Sequence, residues 1–331
     1  STQVITSSNL RAAVWLPWCS RFIQAAENGS IAYSTDGNTW VSVTSHTSST
    51  INALAYSDEL QIVVAVGQSD SVGYSYNGID WFDGIITAHP NVSAYLGACW
   101  SPADSKFVIV GTRGQVQTSS DGITWTKAAS NENVSGYDVI YDSVNGKYVL
   151  AVINDPQGAS ADLLVYYGSN IEALTLSSLS GVSSKVLARL SYSATIGKYA
   201  LVTNSGDIYY SEDAGTWSAA ATPSFSGSNI LCVTESAELG LFLAGGESGK
   251  IAYSTDANIW TQCATPSFAT TEIRSLSYSP LRGKFVACGG GKSAISTAFA
   301  NTISADIAGF TVQAVQYSGT VTAYNCTMKQ P

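Results

Sequence analysis

Charged side chains are scarce in this sequence, and basic ones are the scarcest. Only 12% of the 331 residues are charged, and 15 lysines and arginines against 24 aspartates and glutamates give a formal net charge of −9. No basic cluster and no GxxxxGK[ST] phosphate loop interrupts this pattern. Because phosphate backbones and anionic membranes are bound through clustered positive charge, the composition predicts that the chain binds neither nucleic acid nor membranes.

Long apolar runs are also missing. No stretch is long enough to span a bilayer, and residues 1–6 lack the positive region and apolar core of a secretory signal peptide. Ser1 is the kind of small residue that remains when an initiator methionine is trimmed. We therefore expect a protein made in a cytoplasm and not exported through a signal peptide.

Cysteine and histidine are few and dispersed. The six cysteines include no CxxC pair, which favours buried free thiols over disulfides. The two histidines, His46 and His89, stand apart from any cysteine or acidic cluster, and this is a poor basis for a metal site. We expect neither a metal nor another cofactor.

What the chain does contain is an internal repeat. The stretch 31–40, Ile-Ala-Tyr-Ser-Thr-Asp-Gly-Asn-Thr-Trp, returns in altered form at 74–81, 119–125, 210–217 and 253–260. Successive copies are about 41 to 44 residues apart, and degenerate copies fit at 165–171 and 294–303. The count is then seven units, and a period of about 40 to 45 residues is that of a β-propeller blade.

Each unit consists of short strand patterns separated by turns rich in Gly, Ser, Asn and Asp, without helical periodicity. We predict an all-β fold: a seven-bladed β-propeller with four-stranded antiparallel blades, forming a single domain over residues 1–331. The blades are predicted to end near residues 40, 81, 125, 171, 217, 260 and 303. Residues 304–331 carry two further strand patterns, which either close the seventh blade or form a C-terminal arm to a neighbour, since a ring must be sealed against open strand edges.

The repeated stretch has the composition of a structural turn. Ser and Asp side chains accept hydrogen bonds from nearby backbone N–H groups, Gly or Asn takes the left-handed position, and Trp fills the space between blades. A calcium site is disfavoured, because each copy offers one carboxylate. The residues in these structural roles are Ser34, Asp36, Gly37, Trp40, Asn77, Trp81, Asp121, Gly122, Trp125, Asp213, Trp217, Asp256 and Trp260.

The pattern S-x-D-x-G-x-T-W resembles the Asp-box, or bacterial neuraminidase repeat, of sialidases, sortilin-type receptors, photosystem assembly propellers and some phage virion proteins. The match is closest at 34–40 and 119–125. The resemblance implies that the box joins the third and fourth strands on the face opposite the substrate. Function is then expected in the turns between second and third strands and in the connections between blades.

Candidate binding residues follow from that placement. Arg113 lies in an expected turn between second and third strands, and Tyr95, Tyr137, Phe225 and Phe268 lie in expected blade connections. Aromatic rings among Ser, Thr and Asn are typical of faces that bind sugars or proteins. The alternative is that both phenylalanines pack beneath their own loops.

No catalytic residue is identified. A sialidase would need three arginines to clamp a carboxylate, a tyrosine nucleophile with a glutamate partner, and an aspartic acid, but the family's early Arg-Ile-Pro signature is absent. No pair of carboxylates stands out for another glycosidase.

Three classes of function remain open. The first is a non-enzymatic structural or receptor-binding propeller of a bacteriophage virion, located in a head or tail appendage. It would bind neighbouring virion proteins or a glycan or protein of the host surface, and it would self-associate through its C-terminal strands. The second is a glycan-binding lectin or glycoside hydrolase of the Asp-box superfamily. The third is a cytoplasmic assembly factor of the photosystem type, which the lack of a basic face disfavours.

Overall fold

A computed structural model describes residues 8–86, 94–129, 134–154, 162–179, 188–222, 225, 227–263 and 271–296, together with the backbone of 310–316 and 321–326. It confirms the predicted fold, an all-β ring of seven blades of four antiparallel strands; blade 7 has one further strand, and a short parallel strand pairs with the outer edge of blade 3. The first strand of each blade contacts the first strand of the next blade around the ring. The predicted blade ending at residue 303 lies outside the described residues.

Blades 1 to 3 occupy the first part of the chain. Blade 1 has β1 (Leu10–Leu16), β2 (Arg21–Ala26), β3 (Ile31–Ser34) and β4 (Val41–Val43). Blade 2 has β5 (Ile51–Ser57), β6 (Ile62–Gly67), β7 (Val72–Ser75) and β8 (Phe82–Asp83). After the short β9 (Ile85–Ile86), blade 3 has β10 (Tyr95–Ser101), β11 (Lys106–Gly111), β12 (Val116–Ser119) and β13 (Thr124–Ala129).

Blades 4 to 7 repeat this order. Blade 4 has β14 (Val134–Asp142), β15 (Lys147–Asn154), β16 (Asp162–Gly168) and β17 (Thr175–Leu176). Blade 5 has β18 (Ala188–Ser193), β19 (Lys198–Thr203), β20 (Ile208–Ser211) and β21 (Ser218–Ala219). Blade 6 has β22 (Ile230–Ser236), β23 (Leu241–Gly246), β24 (Ile251–Ser254) and β25 (Thr261–Gln262). Blade 7 has β26 (Ser275–Ser279), β27 (Lys284–Gly289), β28 (Lys292–Ile295), β29 (Phe310–Gln316) and β30 (Val321–Cys326).

The antiparallel order gives the ring two different faces. Turns between first and second strands and between third and fourth strands lie at one end of every blade, and the repeated stretch forms the latter turns. We call these repeated turns the box turns (34–40, 75–81, 119–125, 211–217 and 254–260) and their end of the ring the box face. Turns between second and third strands and the connections between blades form the opposite end, the connection face.

Apolar residues on neighbouring blades form the core. The second strand of each blade is almost entirely buried, as its continuous apolar sequence predicts. The box tryptophans pack into these interfaces; Trp81 of blade 2, for example, belongs to one buried cluster with Leu16 and Ile23 of blade 1. In blade 4, which has no box tryptophan, the buried Ile171 takes that place beside Val152.

The ring closes by packing of blade 1 against blade 7. Within the described residues, blade 1 contains only N-terminal strands and blade 7 only C-terminal ones, so no strand is exchanged between them. Gln24 Nε2 donates to Ser293 Oγ over 2.8 Å inside this interface, and the backbone N–H of Ala13 donates to Ser275 Oγ over 3.0 Å. The strands β29 and β30 extend blade 7 beyond β28 as its fourth and fifth strands.

Other features of the described residues concern cysteine, metals and membranes. Cys19, Cys99, Cys232 and Cys288 are free thiols. Among the side chains that the structure places, no group of three or more His, Cys, Asp or Glu is arranged to hold a metal ion. No helix in the described ranges is long and apolar enough to cross a membrane.

Candidate functional site

The box turns are held by the bonds that their sequence predicts. In the first copy, Asp36 Oδ1 accepts hydrogen bonds from the N–H groups of Asn38 (2.8 Å) and Thr39 (2.7 Å), and Ser34 Oγ accepts from Gly37 N–H (2.7 Å). The indole of Trp40 donates to the Gly37 carbonyl over 3.2 Å. Equivalent Asp or Asn bonds hold the copies at Asn77, Asp121, Asp213 and Asp256. The side chains of the motif are thus engaged within their own turns.

Hydrogen bonds also lower the pKa values of the aspartates in the box turns. At Asp213 the N–H of Thr216 lowers the pKa of the carboxyl most strongly, burial raises it, and the N–H of Gly215 lowers it further, with a net shift below the ordinary value. The pKa values of Asp36, Asp121 and Asp256 are lowered as well. These carboxylates are ionised at neutral pH and act as turn acceptors.

In two box turns the left-handed residue differs from the prediction. Sequence reasoning assigned that position to Gly or Asn, yet Ala214 (φ 64°) and Ala257 (φ 61°) occupy it in the fifth and sixth blades. The reason is spacing: the left-handed residue is the third after the box serine, as Gly37 is in the first copy. Gly215 and Asn258 lie one residue too late for this role.

The predicted binding residues do not form one exposed site. Tyr95 and Tyr137 lie within the inner strands β10 and β14, not in blade connections. Tyr95 is 1% exposed, burial raises its pKa to about 12, and Phe225 is 0% exposed in a buried cluster with Ile230 and Phe242. Arg113 is exposed in a tight turn with a left-handed φ of 56°, and Phe268 lies outside the described residues. In this conformation, neither Tyr95 nor Phe225 can contact a ligand.

Arginines surround the channel on the connection face, but internal partners hold them. Arg11 pairs with Glu27 (2.6 Å) and Arg274 with Glu272 (2.5 Å). Arg189 donates to the Tyr137 carbonyl over 3.0 Å. Together with other inner-strand residues, the three arginines line a cavity of about 200 Å³. Because acceptors within the chain offset much of their charge, this end is a weak anion site.

The other end of the channel carries a ring of aromatic residues. In six of the seven blades, the next-to-last residue of the first strand is aromatic, and in blade 6 it is Glu235. The aromatic members are Trp15, Tyr56, Trp100, Tyr141, Tyr192 and Tyr278. Five of them stack on an aromatic residue of the second strand with ring centroids 4.5 to 4.8 Å apart. We call these six residues and Glu235 the aromatic mouth.

Two adjoining depressions open at the aromatic mouth. One, of about 320 Å³, is lined by Tyr56, Tyr278, Glu235 and Glu238 among others. The other, of about 450 Å³, is lined by Tyr56, Trp100, Asp58 and Glu59 with neighbouring apolar residues. Aromatic rings and carboxylates therefore face the same open space, a combination suited to cationic and apolar groups.

Burial and hydrogen bonding set the charges of the mouth. Burial raises the pKa of Glu235, and a hydrogen bond with the Ser193 hydroxyl partly opposes this. The Tyr278 hydroxyl donates to Glu238 Oε2 over 2.9 Å; burial and this bond raise the tyrosine pKa to about 12. Tyr278 is thus a neutral donor at physiological pH. Among the described residues that line the two depressions none is basic, and Arg282 lies over the Trp15 ring, 6.0 Å from its centroid.

The box face also carries exposed apolar side chains at its turns. These are Leu60, Tyr76, Val144, Ile259 and Leu281. Sequence reasoning assigned function to the opposite face and missed the mouth, although its signal is present: an aromatic residue stands directly before Ser57, Ser101, Ser193 and Ser279. Those serines cap the turns between first and second strands, which fixes the aromatic residues at the channel rim.

Comparison with known proteins gives the fold. No family model and no curated protein matches the chain. A solved structure of YCF48 bound to a D1 peptide has 13% identity and a TM-score of 0.67, over 90% of this chain and 96% of that one. YCF48 from Cyanidioschyzon merolae has 15% identity and a TM-score of 0.66, over 89% and 98%. The WD40 repeats of RRP9 have 13% identity and a TM-score of 0.63, over 86% and 88%. At these identities the likeness shows the β-propeller fold alone.

Proposed function

We propose that this chain is a non-enzymatic binding propeller of a bacteriophage virion, a structural or receptor-binding component that holds a protein partner at the aromatic mouth. The observation that carries the proposal is the mouth itself, in which tyrosine and tryptophan rings from different blades line two adjoining depressions together with carboxylates. The partner is a neighbouring virion protein or a protein of the host surface, and the chain is made in the host cytoplasm.

The chemistry of the mouth selects the partner's side chains. Tyrosine and tryptophan are enriched in the cores of protein interfaces, where a ring buries much area at low conformational cost. A lysine or arginine of the partner would face Glu235, Glu238, Asp58 and Glu59, and the rings would add cation–π attraction. A structure of YCF48 with a bound peptide is an example of a similarly shaped propeller that takes a peptide.

The test is a double variant in the mouth, Tyr56→Ala with Trp100→Ala. We expect it to reduce incorporation of the chain into purified particles, or binding to the host surface, at least about tenfold, as loss of central aromatic residues does in protein interfaces. Arg113→Ala on the connection face is the matched control and should leave both unchanged. If the double variant folds and is incorporated and bound normally, the mouth is not the binding site; a loss in Arg113→Ala would then indicate the connection face instead.

A glycan ligand is the second candidate. Aromatic rings also stack on sugars, and Glu235, with its raised pKa, shares a depression with Glu238, which is the kind of carboxylate pair that glycosidases use. A glycan array together with a hydrolysis assay on the isolated chain decides between the two. Binding or cleavage that Glu235→Gln abolishes would replace the protein-partner proposal.

We also propose that the chain self-associates through its C-terminal strands. The strand β30 pairs with β29 on one side and, among the strands that the structure describes, is the last of its sheet. An open strand edge invites pairing with another chain. Sedimentation analysis at rising concentration tests this: the apparent mass of the chain is expected to rise with concentration, and a constant monomer mass would contradict the proposal.

A further inference from the structure

The connections between blades form a second repeated pattern. In three junctions, the first residues after the fourth strand of a blade lie beside the box turn of the next blade and pair with it in parallel, before the chain continues to the connection face. In each of them, one residue that follows the fourth strand pairs with the residue before the box tryptophan of the next blade. The pairs are Ile85 with Thr124, Ser178 with Thr216, and Thr222 with Ile259. Each junction thus fills a short strand position at the outer edge of the box turn.

The backbone bonds of this pattern are the same in each case. The N–H of Ser178 donates to the Gly215 carbonyl over 2.8 Å, and the N–H of Trp217 donates to the Ser178 carbonyl over 3.3 Å. In blade 3 the N–H of Ile85 donates to the Ile123 carbonyl over 2.7 Å. One residue of the junction therefore donates to one backbone carbonyl of the next box turn and accepts from one of its backbone N–H groups.

The junction between blades 1 and 2 departs from the pattern. Thr44 holds the sequence position of Ile85 and Ser178, but it forms no bridge to the second box turn. The chain turns inward instead, and His46 stacks on Trp81 with ring centroids 6.1 Å apart. Within the described residues, the Ile79 carbonyl and the Trp81 N–H make no backbone hydrogen bond.

An open groove of about 560 Å³ lies at this place. Its walls include Thr44, Ile79, Asp80 and Trp81. We call it the blade 1–2 slot. Among the described residues, the Ile79 carbonyl and the Trp81 N–H on its wall have no backbone hydrogen-bond partner.

The surroundings of the slot favour a docking segment with apolar and basic side chains. Tyr76 is 53% and Phe82 49% exposed, and Tyr74 packs between them with ring centroids 5.8 and 5.6 Å away. Asp80 is also exposed, and no basic residue lines the groove. Exposed aromatic rings beside an unfilled strand position are a feature of interaction sites.

We propose that the blade 1–2 slot binds an extended segment of a partner protein by strand addition. One residue of the segment donates its N–H to the Ile79 carbonyl and accepts from the Trp81 N–H, as Ser178 does in its junction. A basic side chain of the segment pairs with Asp80, and an apolar one covers Phe82. The slot is separate from the aromatic mouth and does not depend on its function.

Amide hydrogen exchange tests the slot in the free protein. The Trp81 amide is expected to exchange at least about tenfold faster than the Trp217 amide, which is bonded to Ser178. Equal protection of both amides in the isolated chain would overturn the proposal. So would protection of Trp81 that grows with protein concentration, because a second copy of the chain would then fill the slot.

A synthetic peptide tests the occupant. The probe is acetyl-Lys-Lys-Gly-Ile-Ile-Lys-Lys-amide, whose centre copies Gly84 to Ile86, the segment that fills the next junction. It should slow exchange at Trp81. N-methylation of its first isoleucine removes the donor to Ile79 and should weaken binding about tenfold. Equal binding of the methylated peptide, or of a peptide with glutamates in place of the lysines, would overturn strand addition by a basic segment.

Protein variants provide the matched control. Asp80→Asn removes the charge but keeps an acceptor for the Asn77 amide, which donates to Asp80 over 2.9 Å. This variant and Asp80→Lys should both weaken peptide binding, the latter about tenfold or more. Thr216→Lys places the same charge at a junction that is already filled and should have no effect on binding. If Thr216→Lys weakens binding as much as Asp80→Lys does, the peptide is not at the slot.

Discussion

His46 is a partly buried histidine whose protonation opposes folding. It stacks on Trp81, and its Nε2 atom lies 3.1 Å from Ser71 Oγ. Burial lowers the pKa of the imidazole, and the charge of Asp83 partly offsets this. The same ring crowds Gly73, where an added Cβ would lie 2.3 Å from the imidazole. The connection between blades 1 and 2 is therefore fixed by a neutral ring.

The first prediction concerns the pH dependence of stability at His46. Because its pKa is lower in the folded than in the unfolded chain, its contribution is fully present above the unfolded value near 6.5 and is lost as pH falls toward the folded value. A single group can change the free energy of unfolding by at most about 1.4 kcal/mol per pH unit. Urea unfolding between pH 7.5 and 5.5 should therefore show a steeper loss of stability for the natural chain than for His46→Gln. Parallel pH profiles would contradict this.

The second prediction concerns the left-handed residue of the box turns. In blade 2 it is Gly78, and a Cβ there would lie 2.3 Å from Ile23 Cδ1 of blade 1. In blade 6 it is Ala257, which belongs to one buried cluster with the small Ala200. Gly78→Ala adds left-handed strain of about 1 to 2 kcal/mol and a clash, so we expect a loss of about 2 kcal/mol or more.

Ala257→Gly is the reciprocal change. It relieves that strain but removes a buried methyl worth about 0.8 kcal/mol and costs about 0.5 to 1 kcal/mol of backbone entropy. These terms nearly cancel, so the free energy of unfolding, measured by thermal unfolding, should change by less than about 1 kcal/mol. A large loss from Ala257→Gly would show that the methyl group contributes more than packing of its size explains.

At the level of the element, the box turn depends on a side-chain oxygen that accepts hydrogen bonds more than on the negative charge of that side chain. Asn77 Oδ1 accepts from the N–H groups of Ile79 (2.8 Å) and Asp80 (2.9 Å), and Asp121 Oδ1 makes the same pair of bonds in blade 3. An amide therefore replaces a carboxylate in this fold without loss of the turn.

The third prediction follows from that equivalence. At neutral pH, Asp121→Asn should change the free energy of unfolding by less than about 0.5 kcal/mol, whereas Asp121→Ala should cost about 1 kcal/mol or more. The pKa of Asp121 is lowered in the folded chain, so its contribution is present above the unfolded value near 3.8 and is lost below it. Acid unfolding should thus be less steep in Asp121→Asn. If the natural chain and Asp121→Asn lose stability equally as the pH falls, Asp121 does not contribute to acid unfolding.

How much the sequence predicts depends on the kind of signal. The period of the box turns predicted seven blades, because a local turn needs the same residues wherever it recurs. The inner-strand positions of Tyr95 and Tyr137 were not predicted, since a bulge shifts the strand register beside each of them. The aromatic mouth was missed because its residues come from separate blades and converge only when the ring closes.

At the level of the whole molecule, the ring is a closed series of similar interfaces. Seven buried clusters link neighbouring blades, and the cluster between blades 7 and 1 joins Phe22 and Trp40 to Val286 and Ile295. Unlike the other six interfaces, this one joins blades that are not consecutive in the chain, and no disulfide and no exchanged strand among the described residues crosses it. Within the described residues, packed side chains and the hydrogen bond from the Ala13 N–H to Ser275 hold blades 1 and 7 together.

The last prediction is that a single buried hydrogen bond decides how readily the ring opens. Gln24 and Ser293 are both 0% exposed, and the bond between them crosses from blade 1 to blade 7. Ser293→Ala removes the acceptor and should cost about 1 to 3 kcal/mol. Since ring opening separates these two blades first, amide exchange should accelerate in β2 and β27 and stay unchanged in β11 and β15. Ser254→Ala, which breaks a bond inside the box turn of blade 6, is the control and should affect that turn alone. Uniform acceleration in all four strands would mean that the ring unfolds as one unit and has no weak junction.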